Sequence, residues 1–164
     1  MASSIKKEKI KQSVKRQFCT FRIGRHYFGI DILDVKEIVD NISLTKIHHA
    51  PEEILGFINI RGHVHLVIDL RQLLSFEKKE IDEFSRIILF TSDVGESFGV
   101  LIDQIGHMVE VEEKSIEYKN HEDNQSELSK KRLNALETAA CKLEDKLLII
   151  LDARQLFQII EKIN

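Results

Sequence analysis

Between residues 54 and 74 the chain reads ILGFINIRGHVHLVIDLRQLL. Two apolar runs, FINI and VHLVIDL, flank Arg61-Gly62. Short apolar runs that meet at a glycine predict a β-hairpin. Strand side chains alternate between faces, so Val64, Leu66 and Ile68 share one face and His63, His65 and Val67 share the other. The same signals predict three more hairpins. Residues 18–23 and 27–33 meet at Gly24-Arg25-His26, residues 87–91 and 98–102 meet at 93–96, and residues 136–143 and 147–151 meet at Glu144-Asp145. A β-branched run through Val35, Ile38 and Val39 and an alternating stretch at 42–47 add strand character. Ala50-Pro51-Glu52-Glu53 predicts one helical turn, with proline first and carboxylates at its positive end. Asp69 and Asp152 stand where they can cap helices. The first helix is short, with Leu70, Leu73 and Leu74 turned inward. The second is C-terminal, with Leu156, Ile159, Ile160 and Ile163 on one face. Residues 76–84 and 112–134 are polar and predict exposed loops, the second with a helical turn.

The pattern repeats. Phe28-Gly29-Ile30 matches Phe98-Gly99-Val100, and Val35, Ile38 and Val39 match Ile105, Met108 and Val109, all at an offset of 70. Residues 68–74, IDLRQLL, match residues 151–157, LDARQLF, at an offset of 83. The additional residues fit in the polar stretch 112–134. The chain therefore contains two copies of one unit: hairpin, strand run, hairpin, capped helix. Each copy carries about five strands, which suits a small barrel or curled sheet whose closure hides the edges. The expected fold is mainly β: two similar five-stranded β-barrel subdomains packed together, with short helices and a C-terminal helix. The boundaries are residues 17–84 and 85–160 of a single domain 17–160, with exchange of strands allowed. At the hairpin tips the copies part, since Arg61 corresponds to Glu144 and Gly62 to Asp145. Arg61 is thus not required to build the unit.

Charge refines this picture. The net charge is -3, yet residues 1–17 carry +5 and the remainder -8. Residues 1–16 are expected to form a basic flexible arm. An acidic body argues against nucleic acid, whose binders concentrate positive charge on the folded surface. The alternative of a small-barrel nucleic-acid-binding protein would use the nine Phe as stacking platforms. Most of them occupy apolar strand positions without interleaved Lys or Arg, which fits a core. No apolar run reaches the roughly 20 residues of a membrane span, and the N-terminus lacks a signal-peptide core. The expected location is cytoplasmic. Cys19 and Cys141 lack motif spacing and are expected as buried free thiols.

Catalytic signatures are missing. No phosphate-binding glycine loop and no G-x-S-x-G elbow occurs. His48, His49, His63 and His65 lie close in sequence, but no Cys or acidic cluster joins them. The chain is expected not to be an enzyme and to need no metal or other cofactor.

Several segments taken together resemble the CheW family of chemotaxis coupling proteins. They are Tyr27-Phe28-Gly29-Ile30-Asp31-Ile32, Val35-x-Glu37-Ile38, Pro51-x-x-Ile54-x-Gly56-x-Ile58-Asn59-Ile60-Arg61-Gly62 and Ile68-Asp69-Leu70-Arg71. Phe98-Gly99-Val100-x-Ile102-Asp103 and residues 148–152 continue the match, which runs from about residue 18 to 160. The resemblance implies two intertwined five-stranded barrels without catalysis. It implies an adaptor that couples chemoreceptor cytoplasmic tips to a CheA-type histidine kinase. The receptor tip, a helical hairpin, would lie in a groove between the subdomains. The implied receptor-binding residues are Val35, Glu37, Ile38, Ile58, Asn59, Arg61 and Gly62. The kinase's regulatory domain, itself CheW-like, would be met barrel end to barrel end, on residues the resemblance does not assign. The membrane would be reached only through receptor arrays.

Overall fold

A computed structural model describes residues 14–119 and 136–163. Twelve strands are described: β1 (Lys15–Ile23), β2 (His26–Asp31), β3 (Val35–Val39), β4 (Ile54–Ile60), β5 (His63–Asp69), β6 (Arg86–Phe90), β7 (Phe98–Ile102), β8 (Gln104–Ile105), β9 (Val109–Glu112), β10 (Ile116–Tyr118), β11 (Glu137–Lys142) and β12 (Leu147–Leu151). Two α-helices, α1 (Leu70–Leu73) and α2 (Ala153–Ile163), follow the second hairpin of each copy. All four hairpins form in the expected places.

The strands make two sheets. The first, of seven strands, runs β10-β11-β12-β2-β1-β8, with β9 also on β1, and the second runs β3-β6-β7-β5-β4. The class is mainly β, as expected. The expected pair of five-stranded barrels is instead two sheets that do not close among the described residues. Each sheet takes strands from both copies, because β12 joins β2 in parallel and β5 joins β7 in parallel.

These two joints repeat in register. Tyr27, Phe28 and Gly29 face Leu148, Ile149 and Ile150, while Phe98 and Gly99 face Leu66 and Val67. The hairpins β4–β5 and β11–β12 both carry an irregularity after their first pair, between Ile54 and Gly56 and between Glu137 and Ala139. Such bulges persist because they set twist and aim. The duplication read from the residues is thus a duplication of pairing.

Three sequence expectations change, and the one at 50–53 stands. Residues 42–47 form no strand; only Thr45 bridges Phe57, with both backbone bonds at 2.8 Å. Its counterpart β10 pairs fully with β11. The helical turn at 50–53 is a single turn closed by the Ile54 N–H to the Pro51 carbonyl at 3.0 Å. The polar stretch 112–134 begins with a 3-10 turn, Glu113–Ser115, and then the strand β10; residues 120–135 lie outside the described residues. Of the basic arm, residues 1–13 also lie outside them, whereas Lys15 and Arg16 already belong to β1. Arg16 is held by Asp31 at 2.9 Å and by the Tyr118 hydroxyl at 3.0 Å.

Burial explains why both faces of the central hairpin are apolar. A central core lies between the sheets, joining Phe21, Phe28 and Ile30 to Ile68, Ile88, Phe98 and Val100, with Leu73, Leu156 and Ile160 from the helices. Each sheet has a second cluster on its far face. In the first sheet it contains Phe18, Tyr27, Cys141, Leu148 and Ile150. In the second it contains Val39, Ile58, Val67, Ile87 and Leu89, covered by Ile42 and Leu44. Burying one Leu, Ile or Phe removes roughly 1.5–3 kcal/mol of apolar exposure, so neither copy could keep three clusters dry alone. Cys19 and Cys141 are free and buried in different clusters, and burial pushes both thiols up.

Candidate functional site

Strand β3 is an edge of the second sheet. An irregularity between Val35 and Glu37 turns its side chains. Val35 pairs with Phe90 and Ile38 with Ile88, both of the central core, whereas Glu37 pairs with Leu89 of the far-face cluster. Val35 and Ile38 therefore share a face despite their odd spacing. Val35 is half-buried against the central core, and Ile38 is 40% exposed. The strand offers apolar side chains toward the junction of the sheets and a carboxylate on the other side.

That carboxylate meets the tip of β4–β5. Arg61 grips Glu37 with two parallel bonds, Nη1 to Oε1 at 3.1 Å and Nη2 to Oε2 at 2.5 Å. The fork matches the two carboxylate oxygens, as an ammonium could not. Arg61 holds the Glu37 carboxyl below the usual carboxylate range. The pair is open to water: the Arg61 side chain is 70% exposed and that of Glu37 30%. A surface pair of this kind adds little to stability, so its position is of more interest than its energy.

The turn itself is unusual. Arg61 has φ 49° and Gly62 has φ 84°, so both central residues of the two-residue turn lie in the left-handed region. Such turns favour Asn-Gly or Gly-Gly, because a side chain at positive φ is strained. Asn59 compensates by accepting the Gly62 N–H on Oδ1 at 2.9 Å. An arginine is held where a glycine would fit more comfortably. Strain of this kind is found where a side chain has a task.

Six of the seven sequence-predicted residues thus gather around the Arg61–Glu37 contact, which links the two edge strands of the second sheet, β3 and β4. Ile58 does not serve as expected. It is 2% exposed within the far-face cluster, so it has no surface to offer and instead supports the hairpin from within. Sequence reasoning missed Phe57 and Val64, which are 40% and 53% exposed on the outward side of the same hairpin beside Asn59. Their face carries Leu66 and Ile68 into the core further along, so alternation alone could not mark where burial stops. The histidines do not assemble: among the described residues no group of three or more His, Cys, Asp or Glu could hold a metal. No described helix is long and apolar enough to cross a membrane.

Comparison with known proteins adds an independent line. A family model described as the CheW-like domain matches residues 17–161. A probable chemotaxis protein CheW from Rhizobium etli is 32% identical over 103 residues, covering 62% of this chain and 65% of the relative. A chemotaxis protein CheW from Klebsiella aerogenes is 29% identical over 106 residues, covering 64% of this chain and 63% of the relative. The chain therefore spans just under two thirds of the length of these two relatives. A chemotaxis protein CheW from Thermotoga maritima is 24% identical over 139 residues, with 85% of each chain covered. Among solved structures, the scaffolding protein TtCheW from Thermoanaerobacter tengcongensis superposes with a TM-score of 0.72 at 30% identity, covering 84% of this chain and 89% of that one.

Proposed function

This chain belongs to the CheW-like domain family, and on that footing we propose that it is a non-catalytic adaptor coupling chemoreceptor cytoplasmic tips to a CheA-type histidine kinase. One observation carries the reading. The likeness to a scaffolding protein extends over 84% of the chain and so takes in both sheets, not a single shared hairpin. Residues 17–160 then act as one domain, its two subdomains exchanging strands. The protein works on the cytoplasmic side and meets the membrane only through receptor arrays.

The geometry suits helix-in-groove recognition, which needs an apolar floor and a few orienting polar groups. Val35 and Ile38 supply floor at the junction of the sheets. Arg61 supplies orientation, because a guanidinium already splayed by Glu37 can share its remaining donors with a carboxylate or amide of the helical tip. A charged contact at an exposed rim sets register and partner choice more than affinity. Asn59 and Gly62 hold that guanidinium in place, and Ile58 anchors the strand beneath. The kinase's CheW-like regulatory domain would dock on a sheet end. The nucleic-acid alternative finds no support: Phe18, Phe21, Phe28, Phe90 and Phe98 are buried, leaving no ladder of exposed rings.

Arg61→Glu tests the tip. It is expected to weaken binding of a purified receptor-tip fragment by at least about tenfold, measured by calorimetry, with the melting temperature within a few degrees of wild type. Unchanged affinity would remove Arg61 from the receptor site. Capture of the kinase's regulatory domain by the same variant, which should persist, separates loss of the receptor contact from loss of the adaptor role.

A further inference from the structure

Strands β2 and β12 run parallel, with Tyr27 beside Leu148, so the hairpin tips that precede them lie at the same end of the first sheet. A cavity of about 370 Å³ opens between these tips. Its polar wall is Arg22, Arg25, His26, Tyr27, Asp145 and Lys146. The Arg61 tip belongs to the other sheet.

The cations on this wall differ from those elsewhere. Arg16, Arg61, Arg71 and Arg154 each pair with a carboxylate, and Arg86 donates to the Glu83 and Ser85 carbonyls. Among the described residues, Arg22 and Arg25 are the arginines bonded to no acceptor, and both line this cavity. Lys146 makes no ion pair with a described residue either.

Tyr27 fixes two of these charges in place. Its hydroxyl donates to Thr20 Oγ1 at 2.7 Å and the residue is buried, so the ring is a rigid platform. Arg22 pairs with Tyr27 across the hairpin and sets its guanidinium 5.7 Å from the ring centroid. The Lys146 ammonium is 4.4 Å from the same centroid. A ring face attracts a cation but has no net charge with which to neutralise it. Three cations against the one carboxylate, Asp145, leave a balance of two positive charges. They stand out in a body that is otherwise acidic.

We propose that this cavity binds the phosphate group of a soluble ligand between Arg22, Arg25 and Lys146. A phosphate dianion balances the charge, whereas a single carboxylate does not. Guanidinium forks match pairs of phosphate oxygens, and the ammonium adds a point charge. A lipid headgroup fits less well. Leu147 is the one large apolar side chain exposed among the lining residues, and stable membrane binding takes a broader apolar face. The site does not rest on the adaptor reading.

The test is an NMR titration of the full chain with sodium phosphate at neutral pH and constant ionic strength. It follows the Arg22 and Arg25 Nε–H and the backbone N–H groups of Lys146 and Leu147, which are expected to move together and saturate. Arg25→Gln, at an exposed turn, should leave the rest of the spectrum unchanged and weaken binding by at least about tenfold. Asp145→Asn removes the opposing carboxylate and should tighten it. The proposal is overturned if the shifts grow without saturation as they do in chloride, or if acetate binds as tightly as phosphate. It is also overturned if neither variant changes the affinity, or if vesicles containing phosphatidic acid pellet the chain while inorganic phosphate leaves its signals unmoved.

Discussion

The hairpins β4–β5 and β11–β12 are the same object built twice, and they differ where nothing forces them to agree. Both run antiparallel with the same irregularity after the first pair, and both lend their second strand to a parallel joint. Their tips diverge. In the first, Arg61-Gly62 form a tight left-handed turn whose arginine reaches across to β3. In the second, the Leu143 N–H closes a looser turn on the Lys146 carbonyl at 2.9 Å, and the Lys146 ammonium folds back to 4.4 Å from the Tyr27 ring centroid. The first tip presents an arginine bonded to a neighbouring strand, whereas the second presents the exposed Glu144 and Asp145. Packing dictates the strands, whereas a tip in solvent is free to specialise.

The sharpest way to break the likeness lies inside the strands. Gly56 and Ala139 are equivalent, yet Gly56 has φ 142° and a Cβ there would fall 2.2 Å from the Thr45 carbonyl oxygen. Gly56→Ala is expected to destabilise by about 4 kcal/mol, combining backbone strain with overpacking. The converse Ala139→Gly should cost only about 1 kcal/mol, much of it chain entropy. Urea unfolding of both variants checks this, and equal losses would mean that the close approach of the Thr45 carbonyl does not set Gly56 apart.

The arginines after the hairpins give the next contrast. Arg71 pairs with Asp103, with 15% and 12% of the two side chains exposed, and its Nε donates to the Glu77 carbonyl at 2.8 Å. Its counterpart Arg154 meets Asp34 at 3.1 Å while 54% exposed. Removing one partner of an enclosed pair strands the other charge. Arg71→Ala should therefore cost about 3 kcal/mol, and Arg154→Ala less than about 1 kcal/mol. Thermal melts of the two variants side by side would show whether burial sets the ranking.

Acid should weaken the first hairpin through His65. His65 has its folded value lowered, so the unfolded chain takes up that proton first. Its contribution is complete above about pH 6.5 and fades as pH falls through the lowered value. The midpoint of urea unfolding should drop between pH 6.5 and 5 in the wild type and drop less in His65→Gln. The smallest effect is expected at the tip: Arg61→Gly relieves positive-φ strain and should raise the melting temperature by about 1–3 °C. Loss of receptor binding in that more stable variant would separate the task of Arg61 from the architecture.

Much of this was legible from residue order alone. Offsets of 70 and 83 located the copies, alternation located all four hairpins, and the mismatch at Arg61 located the tip. What escaped notice depends on distant partners. Alternation says that a strand has two faces but not what covers each, so Ile58 was assigned to the surface although Ile42 and Leu44 help enclose its cluster. Residues 42–47 look like a strand, but a strand exists only if a neighbour pairs along its length, and here Phe57 alone does. The resemblance to a family supplied Glu37, Val35 and Ile38; periodicity did not.

The parallel joint between β2 and β12 also bears on how the protein is made. Tyr27 pairs locally with Arg22 on one side, but its partner on the other is Leu148. During synthesis the first hairpin leaves the ribosome long before the strand that completes its sheet, and for that interval Phe28 and Ile30 have only a partial core. Contacts so distant in sequence slow folding and lengthen the time spent with apolar edges bare. Completion of the first sheet therefore waits for β12, and a nascent chain stalled before it is the form in which aggregation or chaperone capture should concentrate.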